Sequence, residues 1–374
     1  MKPTVYLHIG APKTGTSSLQ SALSASAGSL LKQGVLYPAK CREGDAHHVL
    51  VCDLIAKYQP HPMPDVWYGT FPRGTAWQAL EDELASHQGA VEKVILSSEL
   101  FFGQTHHLPR ILDDIRTALD GYDVKVLMYL RPQDQLYSSF YNQDVKGTRQ
   151  WSGSAYEFYE THQIFLKDYF QLVSEWGSAF GPDNIILRPF ESGQLIGGDI
   201  LADFCDLMGI PSLSGNAGES RNDALGVTQL YIKRCLNVTR FDKKLNDQVV
   251  QRIQRLCPEE PPRDVLYINR RLYNRYCQNW EAANREISKQ FLQGKPLFSK
   301  PFAMAQNTQA FSVNKLSVLA FIEALMKQIE RTDFQELASI FARGVLYLIA
   351  DQNIWDSLDR RVVERLAALS RNNQ

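Results

Sequence analysis

An α/β fold, a parallel sheet flanked by helices with a helical C-terminal extension, is predicted by three observations. Four short apolar segments lie far apart in the first half of the chain, helical patterns separate them, and strand signals cease after about residue 220. The segments are "VYLHI" (5–9), "KVILSS" (93–98), "VKVLMYL" (124–130) and "NIILRPF" (184–190). Short and rich in β-branched or large apolar residues, they suit strands covered on both faces. The helices between them supply the right-handed crossovers that parallel neighbours need.

Taken in order, "TSSLQSALSASAGSLLKQ" (16–33) follows the first strand and opens on hydroxyl residues suited to a helix N-terminus. "AWQALEDELASHQ" (76–88) precedes the second strand, "PRILDDIRTALDG" (109–121) precedes the third, and "DQLYSSFYNQDV" (134–145) follows it. Later come "ALGVTQLYIKRCLN" (224–237), "DVLYINRRLYNRYCQNWEAANREISKQFL" (264–292) and three patterns between Asn314 and Leu369 with apolar stripes at three- and four-residue spacing. The polar stretch 294–312 carries two prolines and reads as a linker. The expected organisation is therefore an α/β domain over 1–298 and a helical extension over 299–374, whose apolar stripes offer a surface for packing or for a homodimer.

Composition narrows the function. With 44% hydrophobic residues the chain can bury a sizeable core, and 40 basic against 41 acidic residues leave no overall field to attract nucleic acid or an anionic membrane. Any anion must be bound locally. The cysteines at 41, 52, 205, 235, 257 and 277 form no C-x-x-C pair, and no run approaches the roughly 18–20 apolar residues of a membrane span. The N-terminus enters "TVYLHIG" without a leader pattern, so a soluble, cytoplasmic protein with free thiols is expected.

The junction "HIGAPKTGTSS" (8–18) carries the chemistry. Gly10 and Gly15 keep the glycine spacing of the nucleotide-triphosphate loop G-x-x-x-x-G-K-[ST], which makes the expected sheet P-loop-like. Thr16, however, stands where that loop has its lysine, and Lys13 has moved inside the loop. A strand, a glycine-bearing turn and a helix N-terminus bring unpaired N–H groups and the positive end of the helix dipole to one place. Pro12, Lys13, Thr14, Gly15, Thr16, Ser17 and Ser18 would form this cradle, with one mobile cation and several hydroxyl donors. The lysine's displacement argues against an ATP or GTP hydrolase, and no acidic strand end has an evident metal-holding partner. A smaller anion, held without metal, fits better.

These residues resemble the sulfotransferase family that uses 3′-phosphoadenosine 5′-phosphosulfate (PAPS), in particular its bacterial, glycan-directed members. The family's 5′-phosphosulfate loop has the form P-K-[ST]-G-T-[ST], and the chain has "PKTGTSS" (12–18). A second family signature is an arginine closing a strand and a serine eight residues later, both gripping the 3′-phosphate. "YLRPQDQLYSSFYNQ" offers Arg131 and Ser139 at that interval, with Ser138 as the alternative. Guanidinium is the better phosphate clamp. "ILRPFESGQLIGGDILADFCDLMGI" (186–210) is similar to the family's strand and helix in which an aromatic residue, here Phe190, lies near adenine. "ESRNDAL" (219–225) falls where relatives place a loop over the 3′-phosphate, making Arg221 a further ligand, although the Arg-Lys-Gly motif of the small-molecule enzymes is missing. The likeness covers roughly residues 4–298 and is strongest at the two phosphate motifs.

The resemblance implies PAPS as co-substrate, adenosine 3′,5′-bisphosphate as product, no metal, and an acceptor hydroxyl on a sugar or glycoconjugate. Such a transfer needs charge stabilisation at the leaving oxygen and a base for the acceptor proton. Lys13 suits the first task. For the second, Glu99 in "VILSSELFFG" ends a strand, while "GQTHHLP" (103–109) is similar to the stretch where small-molecule members keep a histidine base, here His106 or His107. The pair in "DAHHVL" (45–50) can line the acceptor side or belong to the core. A divergent nucleotide kinase and a non-catalytic nucleotide-binding scaffold are the competing readings.

Overall fold

Strands β1 (Thr4–His8), β2 (Val35–Leu36), β3 (Lys93–Ser97), β4 (Asp123–Leu130) and β5 (Ile185–Pro189) form one parallel sheet in the order β2-β3-β1-β4-β5. The computed structural model describes residues 2–59, 63–103, 107–161, 168–213, 224–240, 242–258, 273–300, 302, 315–329, 342–347, 350, 364 and 367–368. The four expected strands are all present to within a residue or so. β2 is two residues long, too short for periodicity to reveal.

The helices of this part are α1 (Thr16–Leu31), α2 (His48–Ala56), α3 (Ala76–Ser86), α4 (Leu108–Ala118), α5 (Gln133–Lys146), α6 (Ala155–Thr161), α7 (Tyr169–Phe180) and α8 (Ile200–Met208). They are followed by α9 (Val227–Leu236), α10 (Lys243–Leu256), α11 (Gln278–Phe291) and α12 (Lys315–Ile329). The chain divides into two compact units. The first comprises Met1–Gln133, Gln163–Arg221 and Arg275–Phe302, and the second Asp134–His162, Asn222–Asn274 and Ala303–Gln374.

In the first unit, α1 turns Leu19, Ala22, Leu23 and Leu30 towards Tyr129 of β4 and Phe204 and Met208 of α8, all in one buried cluster. Burial by itself pushes the Asp203 carboxyl up. Hydrogen bonds from Arg188, Tyr129 Oη (2.8 Å) and the Ile196 amide (3.2 Å) outweigh that effect and hold it below its ordinary value. This buried carboxylate joins β4, β5 and α8, and so fixes the strand ends from which the site is built. The second unit has its own core, in which Ile232, Leu236, Val249, Ile253, Phe321 and Val345 pack together. Of the expected C-terminal helical patterns, the first is α12; the others fall largely outside the described residues. Among the described residues no helix is long and apolar enough to cross a membrane.

Candidate active site

A parallel sheet sends every strand out at the same edge, and ligands of such sheets bind outside the carboxyl ends. In the first unit that edge carries the loop after β1, Glu99 after β3, Arg131 after β4 and Phe190 after β5. The β1 and β3 ends are in register, His8 opposite Ser97, and the Ser98 amide donates to the His8 carbonyl at 3.0 Å. On the other side the loop is stitched to β4 by Ile9 N to Leu127 O (3.0 Å) and Ala11 N to Tyr129 O (2.9 Å).

The loop then turns sharply. Lys13 has φ 68° and Gly15 φ 75°, both left-handed, a region that costs a side-chain-bearing residue free energy. Two hydrogen bonds hold the turn. Thr14 Oγ1 donates to Ala11 O at 2.6 Å, and Arg131 Nη1 donates to Lys13 O at 3.0 Å. Gly15 is the N-cap of α1 and offers no side chain to the first turn, so Thr16, Ser17 and Ser18 stand at a helix N-terminus open to an anion. Thr14 and Thr16 are buried, Lys13 and Ser18 half-buried and Ser17 exposed. Phe190 lies at the same place: its ring is 3.7 Å from where a β carbon on Gly15 would sit, and the Arg131 guanidinium is 6.0 Å from its centroid. Tyr169 Oη donates to Arg131 O at 2.8 Å and fixes the strand end.

Gly10 has a different reason to be glycine. A β carbon there would come within 2.8 Å of His8 Nε2, and the His8 ring cannot yield because Tyr129 and Phe204 pack edge-on against it. Gly10→Ala is therefore expected to lower stability by about 1–3 kcal/mol through overpacking. A urea midpoint equal to wild type would show that the loop has room the structure does not show.

Glu99 begins a 3₁₀ turn, Glu99–Phe101, capped by Ser98, whose Oγ accepts from Leu100 N at 3.3 Å. Its carboxylate is held by Gln20 of α1, Nε2 to Oε2 at 2.9 Å, and faces His48 Nε2 across 3.9 Å from Oε1. His48 Nδ1 bonds Ser98 Oγ at 2.8 Å, and burial lowers its pKa while the Glu99 charge raises it. The adjacent His47 is a core residue: Nδ1 accepts from Ser97 N (3.1 Å), which leaves Nε2–H to donate to Pro38 O (3.0 Å), and burial holds the ring neutral with a pKa of about 3. The two histidines of "DAHHVL" thus do different work.

The other expected residues lie on or at the start of helices, or outside the described residues. His107 opens α4 and stacks on Tyr58, ring centroids 6.2 Å apart. Ser139 lies half-buried in the part of α5 that belongs to the second unit, where its neighbour Ser138 donates to Asp134 O at 3.0 Å. His106 and Arg221 lie outside the described residues. Among the described residues no group of three His, Cys, Asp or Glu side chains is placed to hold a metal ion. Gln20 and His8 went unread in the sequence. Their signal was a polar residue on the apolar face of a helix and another inside an apolar strand.

No protein-family model matches the chain, and no curated protein matches it. Among solved structures the chain is similar to a sulfotransferase from Alicyclobacillus acidocaldarius, with 17% identity over 68% of this chain and 96% of that one and a TM-score of 0.38. It is also similar to the sulfotransferase domain of the curacin biosynthetic pathway, with 14% identity over 70% of this chain and 99% of that one and a TM-score of 0.34.

Proposed function

We propose that this chain is a PAPS-dependent sulfotransferase that moves a sulfuryl group to a hydroxyl of a carbohydrate or glycoconjugate. The observation that carries the reading is the Lys13–Arg131 junction: a cation held inside an anion loop in a left-handed turn, its carbonyl gripped by the arginine of the second phosphate motif. The donor set fits a phosphosulfate. Lys13, Thr14, Thr16, Ser17, Ser18 and the first amides of α1 would hold the 5′ end, with Arg131 on the 3′-phosphate and Phe190 beside the base. Ser139 and Arg221 are assigned to the 3′-phosphate by the family resemblance alone.

PAPS would supply the sulfuryl group already activated as a mixed anhydride. The chain's own residues do the rest. The Lys13 ammonium stabilises negative charge at the leaving oxygen, and the Glu99 carboxylate takes the proton of the acceptor hydroxyl. Gln20 keeps one carboxylate oxygen occupied, so Oε1, on the side of His48, is the oxygen left to receive it.

Calorimetry tests the nucleotide assignment. Arg131→Ala is expected to weaken adenosine 3′,5′-bisphosphate by about 1.5–3 kcal/mol, the scale of a hydrogen bond to a charged group. Because Arg131 also braces Lys13, the sharper readout is the preference for the bisphosphate over 5′-AMP, which should shrink in the variant. Equal affinity in the variant, or a wild type that prefers 5′-AMP, removes the assignment. Metal dependence separates the reading from a nucleotide kinase: transfer from PAPS should survive a chelator, whereas phosphoryl transfer from a triphosphate needs magnesium. Acceptor hydroxyls are then screened with labelled PAPS.

A further inference from the structure

His8 is a buried polar group that the transfer reading leaves unused. It ends β1 directly beneath the anion loop, with no exposed surface, and its two ring nitrogens have different surroundings. Nδ1 lies 2.8 Å from Ser97 Oγ. Nε2 has no hydrogen-bond partner and sits 2.8 Å from the place a β carbon on Gly10 would take, a space also bordered at 3.4 Å by Thr14 Oγ1 and the Thr16 methyl.

We propose that His8 is a positioning residue: through Ser97 and Gln20 it orients the Glu99 carboxylate from beneath the anion loop. This rests on Glu99 being the base of the proposed transfer. The direction of the Gln20 bonds follows from what each group can give, and the direction of the Ser97–His8 bond is part of the proposal. A carboxylate accepts only, so Gln20 presents its amide nitrogen, which reaches both Glu99 Oε2 at 2.9 Å and Ser97 Oγ at 3.2 Å. Ser97 Oγ, already receiving an N–H, keeps its own hydrogen to give, and in the proposed array His8 Nδ1, 2.8 Å away, accepts it. An accepting Nδ1 leaves the ring proton on Nε2. Burial lowers the His8 pKa to about 4 against a smaller opposing pull from Glu99, so the ring carries a single proton at neutral pH.

The array has a mechanical consequence. Without an acceptor at the His8 Nδ1 position, the Ser97 hydrogen turns to the Gln20 amide, whose oxygen swings round to meet it. Glu99 Oε2 then loses its donor, and the carboxylate is free to rotate. A desolvated ring nitrogen without a partner, such as Nε2, is costly to keep, and a fold that retains one beneath a ligand loop calls for a functional account.

Imidazole ¹⁵N resonances of the full chain, labelled at histidine and free of ligand, read the tautomer directly. His8 is expected as the neutral Nε2–H form from about pH 5.5 to 8. A cationic ring or the Nδ1–H form in that range overturns the proposal, whatever the protein transfers. Two variants then read the effect on the reaction. His8→Phe keeps a ring but offers no acceptor, whereas His8→Asn places an amide oxygen near the Nδ1 position. Turnover should fall about tenfold or more in His8→Phe, with bisphosphate affinity within about threefold of wild type, and His8→Asn should recover most of the loss. Equal losses in both variants, or an effect confined to bisphosphate affinity, overturn it. Should His8→Phe fail to fold, the wild-type tautomer and His8→Asn still decide. Failure of the wild type to transfer from PAPS would count against the proposed function, which the ligand-free resonances do not depend on.

Discussion

Glu99→Gln is expected to lower turnover by about 10²–10⁴, the usual cost of removing a general base, with adenosine 3′,5′-bisphosphate affinity unchanged within about threefold. The amide has the carboxylate's shape and still offers an oxygen to Gln20 Nε2, now 2.9 Å from Oε2, so the packing at the β3 end should survive. It cannot take a proton at neutral pH. The proposed bisphosphate contacts are the β1 loop, Arg131, Phe190 and, by resemblance, Ser139 and Arg221, and none involves Glu99. The comparison is with His106→Ala and His107→Ala under saturating donor and acceptor. His107 stacks on Tyr58 at the head of α4, so its loss should leave turnover near wild type. If Glu99→Gln stays within a few-fold of wild type while a histidine variant collapses, the base belongs to "QTHHLP" and Glu99 is only the first acid of a short turn.

The four longer strands and the loop between β1 and α1 were legible because their signals are local. An apolar run bounded by helical patterns marks a buried parallel strand, and two glycines five residues apart mark the loop, Gly15 by its left-handed backbone and Gly10 by the close approach of His8. What the sequence could not show is pairing across the sheet. Gln20 meets Glu99, although 79 residues separate them. His8 meets Ser97 because β1 and β3 are neighbours in register, which the order of elements along the chain does not reveal. The same limit applied to "DAHHVL": adjacent histidines point differently, and only the packing of α2 against the β3 end sends His47 into the core and His48 towards Glu99.

Lys13→Ala should cut turnover by about 10²–10³, the cost of losing a group that stabilises charge only as it develops, and should change bisphosphate affinity far less. The bisphosphate lacks the sulfuryl group, and the α1 amides and Arg131 remain to hold its phosphates. The backbone is the complication, since Lys13 sits at φ 68°, where alanine is no more comfortable than lysine. Lys13→Gly separates the two effects: it relieves the left-handed turn while removing the same ammonium. Both variants should lose turnover alike, and the glycine variant should melt no lower than the alanine one. If glycine restores turnover, the residue acts through the shape of the loop; if alanine keeps wild-type turnover, Lys13 is only a neighbour of the anion. Retained activity in Lys13→Arg, with loss in both small variants, would leave the positive charge inside the loop as the feature that distinguishes this cradle from the nucleotide-triphosphate loop it otherwise spaces like.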